Sequence, residues 1–189
     1  MTRLEASRRR EQIVAAAHQV LVEQGVRAAT TRRIAAEAGV TVGLIHYHFA
    51  TKDELFGEVL ARSTATLVEA VRTTSTEGSS LQECVRDLLE RAVRRAGVLL
   101  GQLQLTISVM RSPELAPLAT AKYREVVTAL AQRFRTTPNP PADPEALALA
   151  FLTVADGLVV LTSALPEARG LVAAAEHTIL SGVAPAPRI

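Results

Sequence analysis

The chain has 189 residues, 48% apolar but only 3% aromatic, so Leu, Val, Ile and Ala can build a core while few rings remain for stacking single-stranded nucleic acid. Cys84 is the sole cysteine, which excludes an internal disulfide and a thiolate metal cluster. The net charge of +2 is unevenly placed, with eight Arg and Lys against four Glu in residues 1–52 and thirteen against fifteen Asp and Glu in residues 53–189. That is the pattern of a polyanion-binding head, or of ordinary scatter.

The start, M-T-R-L-E-A-S-R-R-R-E, has no apolar signal core, and a reducing cytoplasm is the expected compartment. Residues 7–24 carry Ile13, Ala16, Ala17, Val20 and Leu21 at helical spacing, and Gly25 is expected to stop that helix. Thr31 to Ala38 predicts a second helix, with Gly39 where a helix end wants positive φ. Thr41 then caps a third helix running to Phe49. Helix, Gly-containing turn, helix is the layout of a DNA-reading helix-turn-helix.

Thr51 with Glu54 reads as a capping box opening a fourth helix to about Arg72. T-T-S-T-E-G-S-S (residues 73–80) is a loop by composition, and helix resumes from Leu81 to Ala96. Leu103 to Val109 alternates like a strand, but a lone strand has no partner in a helical chain, so it is read as a buried helix. Pro113 and Pro117 mark a break before a helix from Leu118 to Arg135. T-T-P-N-P-P-A-D-P (residues 136–144) is a connection.

Residues 145–165 form a long helix whose stretch from Ala146 to Leu165 has Asp156 as its only charge. Its length would span a bilayer, but a mid-span charge is costly there. A helix apolar all round is better buried between subunits. A last helix, residues 168–181, can join it, and two such helices from each of two chains make a four-helix bundle. The expected partner is therefore a second copy, not a membrane. A-P-A-P-R-I is a frayed tail.

G-V-T-V-G-L-I-H-Y-H-F-A-T-K-D-E-L resembles the signature of TetR-family transcriptional regulators. The preceding T-T-R-R-I-A-A-E-A and the all-helical body fit it too. The resemblance implies an all-α chain of about nine helices. Residues 1–50 would be a three-helix helix-turn-helix DNA-binding domain, and residues 51–189 a ligand-binding and dimerisation domain. It implies a homodimeric repressor on a palindromic operator, released by a small molecule; the alternative is a helical interaction module that has lost operator binding. No cofactor and no metal is expected.

On this reading Ile34, Ala35, Ala38, Val40, Ile45 and Phe49 pack the head. The DNA face comprises Thr31, Arg32, Thr41, Val42, Gly43, Leu44, His46, Tyr47, His48 and Lys52. Thr31 and Thr41 can cap or reach phosphate. Arg32 is the base reader, since a guanidinium bonds two acceptors on guanine. Gly43 allows close approach, while Tyr47, His48 and Lys52 hold phosphates. His46 stands where the family more often has Tyr. Arg8, Arg9 and Arg10 either clamp the DNA backbone or form a solvated charge run. His46 and His48, two apart on a helix, point in different directions and are no metal pair.

The resemblance places a ligand pocket among the central helices. Its candidate lining is Leu99, Gln102, Leu103, Thr106, Met110, Tyr123, Val127 and Phe151, each of which could equally be ordinary core. No G-x-S-x-G, P-loop, dinucleotide glycine pattern or H-E-x-x-H is present, so no catalytic residue is assigned.

Overall fold

The computed structural model describes residues 3–73 and 79–182. Among the described residues the chain is all helix. The elements are α1 (Arg3–Ala28), α2 (Thr31–Ala38), α3 (Val42–His48), α4 (Lys52–Arg72), α5 (Leu81–Arg94), α6 (Ala96–Met110), α7 (Ala116–Arg135), α8 (Pro144–Ala164), a 3-10 turn (Pro166–Leu171) and α9 (Val172–Ser181). Residues 74–78 of the expected loop and the expected frayed tail lie outside the described residues.

The helices pack as two compact units. The first takes the chain up to Ser63 together with Gly101–Lys122. The second takes Thr64–Leu100 together with the chain from Tyr123 on. These units follow packing, whereas the 1–50 and 51–189 division follows expected roles; the first unit contains residues 1–50 and adds the start of α4, most of α6 and the start of α7.

Each unit has its own apolar core. In the first, Ile13, Ala17, Val20 and Leu21 of α1 meet Ile34 of α2, Ile45 and Phe49 around α3, Leu55, Phe56 and Leu60 of α4, and Leu105 and Val109 of α6. In the second, Val85 and Leu89 of α5 meet Leu130 and Phe134 of α7, Leu147, Phe151 and Leu158 of α8, and Ile179 of α9. Burying such side chains contributes about 1.5–3 kcal/mol apiece before the entropy of ordering them.

Three boundaries differ from the sequence expectation. Gly25 kinks α1 rather than ending it: at φ +78° it leaves the helical region, and a short turn follows to Ala28. The alternating stretch from Leu103 to Val109 is helix, as expected; Leu105 and Val109, four apart, share its buried face while Ile107 and Met110 are exposed. Pro117 lies inside the first turn of α7, where its missing N–H is no loss. The last helix starts at Val172, preceded by the 3-10 turn, with the poor helix former Gly170 at the junction.

Candidate nucleic-acid interface and ligand chamber

Local hydrogen bonds set the helix-turn-helix. Thr30, not Thr31, caps α2, its Oγ1 accepting from Arg33 N–H at 3.2 Å. Gly39 adopts φ +62°, and Val40 N–H reaches back to Ala35 O at 3.0 Å, a left-handed helix ending that glycine makes without strain. Gln12 of α1 donates to Ala38 O at 2.6 Å, satisfying another terminal carbonyl of α2. Thr41 Oγ1 accepts from Leu44 N–H at 3.2 Å and so starts α3. Thr51 Oγ1 accepts from Glu54 N–H at 3.0 Å, while the Glu54 carboxylate takes Ala50 N–H rather than the backbone of Thr51.

With Ile45 and Phe49 drawn into the core, the rest of α3 faces outward. Thr41, Val42, Gly43 and His46 are exposed, and Tyr47 is 72% exposed. Leu44 and His48 are half-buried, Thr31 is half-buried, and Arg32 is exposed. Tyr47 stands edge-on to His48, ring centres 5.1 Å apart, and His48 Nε2 is buried with no hydrogen-bond partner among the described residues. Lys52 is exposed, with Nζ 4.8 Å from the centre of the Phe56 ring. A Cβ placed on Gly43 would meet only Thr41 Oγ1, at 3.9 Å. Nothing inside the protein requires a glycine there.

The arginine run divides. Arg8 and Arg9 are exposed, and Arg9 donates to Gln12, three residues on. Arg10 turns inward: it donates to His48 O at 2.5 Å, pairs with Glu58 and Glu54, and lies over the Phe49 ring. It ties α1 to the end of α3 and the start of α4, and is committed inside the head.

A chamber of about 170 Å³ opens within the second unit. Leu67 and Val71 of α4, Leu88 and Arg91 of α5, Arg95, Leu99 of α6, Val126 and Leu130 of α7, and Phe151, Leu152, Asp156 and Val159 of α8 line it. The walls are mostly apolar with a few charged groups, as small-molecule sites usually are. Arg91 Nε donates to Asp87 Oδ2 at 2.7 Å, and Tyr123 OH donates to Asp156 Oδ2 at 3.3 Å. Burial, and then the charge of Asp156, push the Tyr123 phenol up to about 12.

Of the expected lining, Leu99 and Phe151 are in this wall, and Tyr123 reaches it through Asp156. Val127 packs half-buried against the second core. Gln102, Leu103, Thr106 and Met110 belong to the first unit. There Thr106 Oγ1 accepts from Lys122 Nζ at 2.7 Å and donates to Gln102 O, Gln102 and Leu103 are half-buried, and Met110 is 58% exposed. Sequence reasoning passed over Arg91, Arg95 and Asp156 as lining. The visible signal was Asp156, the lone charge in a long apolar stretch.

Helix α8 is the one helix among the described residues long and apolar enough to cross a membrane. Its inward face, including Leu147, Phe151 and Leu158, is packed in the second core. Its outer face exposes Leu149, Val160 and Leu161 with Ala146, Thr153 and Gly157. On α9, Ala173, Ala174 and Thr178 are exposed, while Glu176 turns inward to Arg86 and Gln82 of α5. Among the described residues no three His, Cys, Asp or Glu side chains gather into a metal-holding group.

Residues 13–59 match the family model of bacterial regulatory proteins of the tetR family, and residues 77–184 match that of the C-terminal part of BetI-type transcriptional repressors. The chain is 44% identical over 62 residues to the transcriptional repressor BepR of Brucella suis, covering 33% of this chain and 30% of that one. It is 29% identical over 156 residues to the transcriptional regulator BetI of Stenotrophomonas maltophilia, covering 79% of each. The multidrug binding protein EbrR, solved with imidazole, superposes with a TM-score of 0.72 at 27% identity, over 96% of this chain and 98% of that one.

Proposed function

Since the chain belongs to the TetR family of bacterial transcriptional regulators, we propose that it is a homodimeric, ligand-responsive repressor that binds a palindromic operator and is released by a small molecule. Its place of action is the cytoplasm, where its operator and effector meet it. The observation that carries the reading is the outward face of α3, whose exposed Thr41, Val42, Gly43, His46 and Tyr47 are left over once the head has packed.

In this proposal α3 enters the major groove. Arg32 reads a base edge, and Thr31, Tyr47, His48 and Lys52 hold phosphates on either side. The openness around Gly43 supports close approach of α3 to the bases.

Two heads are needed for a palindrome, with half-sites roughly 34 Å apart. The exposed apolar and small residues of α8 and α9 support a bundle with a second copy. Release would run through α4, a continuous helix that begins at Lys52 and lends Leu67, Ala70 and Val71 to the chamber. A ligand preferring a tilted α4 would spoil half-site spacing, and coupling of about 1–3 kcal/mol would weaken operator binding roughly 5–150-fold.

Selection of bound duplexes from a random pool, followed by titration of the best one at several salt concentrations, tests this. A palindromic consensus with affinity that falls steeply with salt is the expected result. Binding that shows no sequence preference would favour an interaction module without an operator.

A further inference from the structure

Among the described residues Asp156 is the one acidic group lining the chamber, and it stands on α8 beside Leu152, Ala155 and Val159 of the same wall. A carboxylate set among apolar walls is costly unless donors or opposite charge meet it. Tyr123 supplies one donor. Because its phenol titrates only near 12, it remains a donor throughout the neutral range. An ionised carboxylate offers about four lone-pair sites, so it can accept from a ligand as well as from its protein neighbours.

The other charges of the lining are placed differently. Arg91 and Arg95 are exposed, and Arg91 is already paired with Asp87. Charges that stay in water steer encounter more than they hold a ligand. Phe151 is the only aromatic residue in the wall among the described residues, and its ring packs edge-on against Phe134, centres 6.1 Å apart. One ring is not the cage of several that recognises a quaternary ammonium. The size is also limiting: a cavity of about 150 Å³ takes a benzene ring, and this one holds about 170 Å³.

We propose that the effector is an apolar, one-ring-sized amine, bound in its protonated form with its N–H groups donating to Asp156. Donation selects it as much as charge does, so a quaternary ammonium of the same skeleton is a poor ligand. The inference rests on the reading of this chamber as the effector site.

Calorimetric titration of the full chain with four probes tests it: 2-phenylethylammonium, its N,N,N-trimethyl derivative, 2-phenylethanol and 3-phenylpropionate. The primary amine should bind at least about tenfold tighter than the alcohol and the trimethyl derivative, a factor that one charge-assisted hydrogen bond supplies, and the carboxylate should bind weakest. Asp156→Asn should erase the amine's advantage and leave the alcohol unchanged. Tyr123→Phe, which keeps the ring, should narrow the advantage and serves as the second variant where thermal melts show Asp156→Asn unfolded. A preference for the carboxylate or the trimethyl derivative, equal binding of all four, no binding of any, or an amine advantage untouched by the folded variants overturns the proposal. Asp156-dependent amine binding that leaves operator affinity unchanged would instead support the site and sink the release mechanism. Operator release by the carboxylate alone would keep the effector reading and sink the amine.

Discussion

The guanidinium of Arg10 lies 4.1 Å from the centre of the Phe49 ring. The same group donates to His48 O and pairs with Glu58 and Glu54. Phe49 closes α3 and is fully buried, so Arg10 fastens the end of the proposed reading helix to α1 and α4. Arg10→Ala should destabilise the head by about 1–3 kcal/mol, combining a part-buried cation–π contact with charged hydrogen bonds. Arg9→Ala, which removes only an exposed bond to Gln12, should shift stability by less than about 0.5 kcal/mol. Urea unfolding followed by far-UV circular dichroism separates the two. Equal effects would deny Arg10 its fastening role.

Arg10 also marks where reading the sequence stops. The two helices of the head and their turn were legible because their signals are local: Gly39 for a left-handed ending, and Thr41 three residues before the N–H it accepts. The choice between clamp and solvated run for Arg10 depends on Phe49 and Glu58, which the sequence sets 39 and 48 residues away and only folding brings near. The chamber was less legible for the same reason. Gln102 and Thr106 are polar residues on a central helix, yet packing gives them to the first unit, while Arg91 and Asp156 enter the wall through the way α5 and α8 pack.

Gly43 and Gly39 should respond oppositely to alanine. At Gly43 a Cβ meets nothing closer than 3.9 Å, so Gly43→Ala should leave stability unchanged or slightly raised, since alanine is the better helix former by roughly 1 kcal/mol. On the proposed interface it should weaken operator binding, because the methyl would stand against the bases. Gly39, at φ +62°, has open space but a backbone that alanine resists. Gly39→Ala should cost roughly 1–2 kcal/mol of stability. Unchanged operator affinity for folded Gly43→Ala would show that this helix does not press into the groove.

Arg32 is exposed, so Arg32→Ala should leave the melting temperature in place. Its proposed role as base reader predicts a loss of about 1–3 kcal/mol in operator binding and relaxed specificity at one base pair. Binding to a panel of single-substituted duplexes measures both. A uniform loss across the panel would make it a phosphate contact instead.

The outer face of α8 should decide the oligomeric state. Leu149 is 57% exposed and Val160 48%, and both lie opposite the buried Leu147 and Leu158. If a second copy covers them, Leu149→Arg with Val160→Glu buries charge in the bundle and should yield a monomer with an intact helical spectrum. Sedimentation equilibrium gives the mass. A dimer that tolerates both changes would place the partner on another face.

Glu176 should govern part of the acid limb of stability. It is 4% exposed, and its two carboxylate oxygens take Arg86 Nε at 2.6 Å, Arg86 Nη2 at 3.1 Å and Gln82 Nε2 at 2.7 Å. The bonds from Arg86, partly opposed by burial, hold this carboxyl below its ordinary value of 4.5. A carboxyl depressed in the folded state binds its proton more readily when unfolded, so its contribution is complete above pH 4.5 and drains away as pH falls through the folded value. The group it fastens is α9 against α5, half of the proposed dimer face. Melting temperature against pH should therefore fall more gently below pH 4.5 in Glu176→Gln than in the wild type, while lying lower at pH 7, where the variant lacks the ion pair. Arg86→Met, which leaves the buried carboxylate unanswered, should be destabilised most at neutral pH and should recover relative to wild type on acidification, once Glu176 takes up its proton. Parallel curves for all three proteins would show that the pair adds nothing to the acid limb.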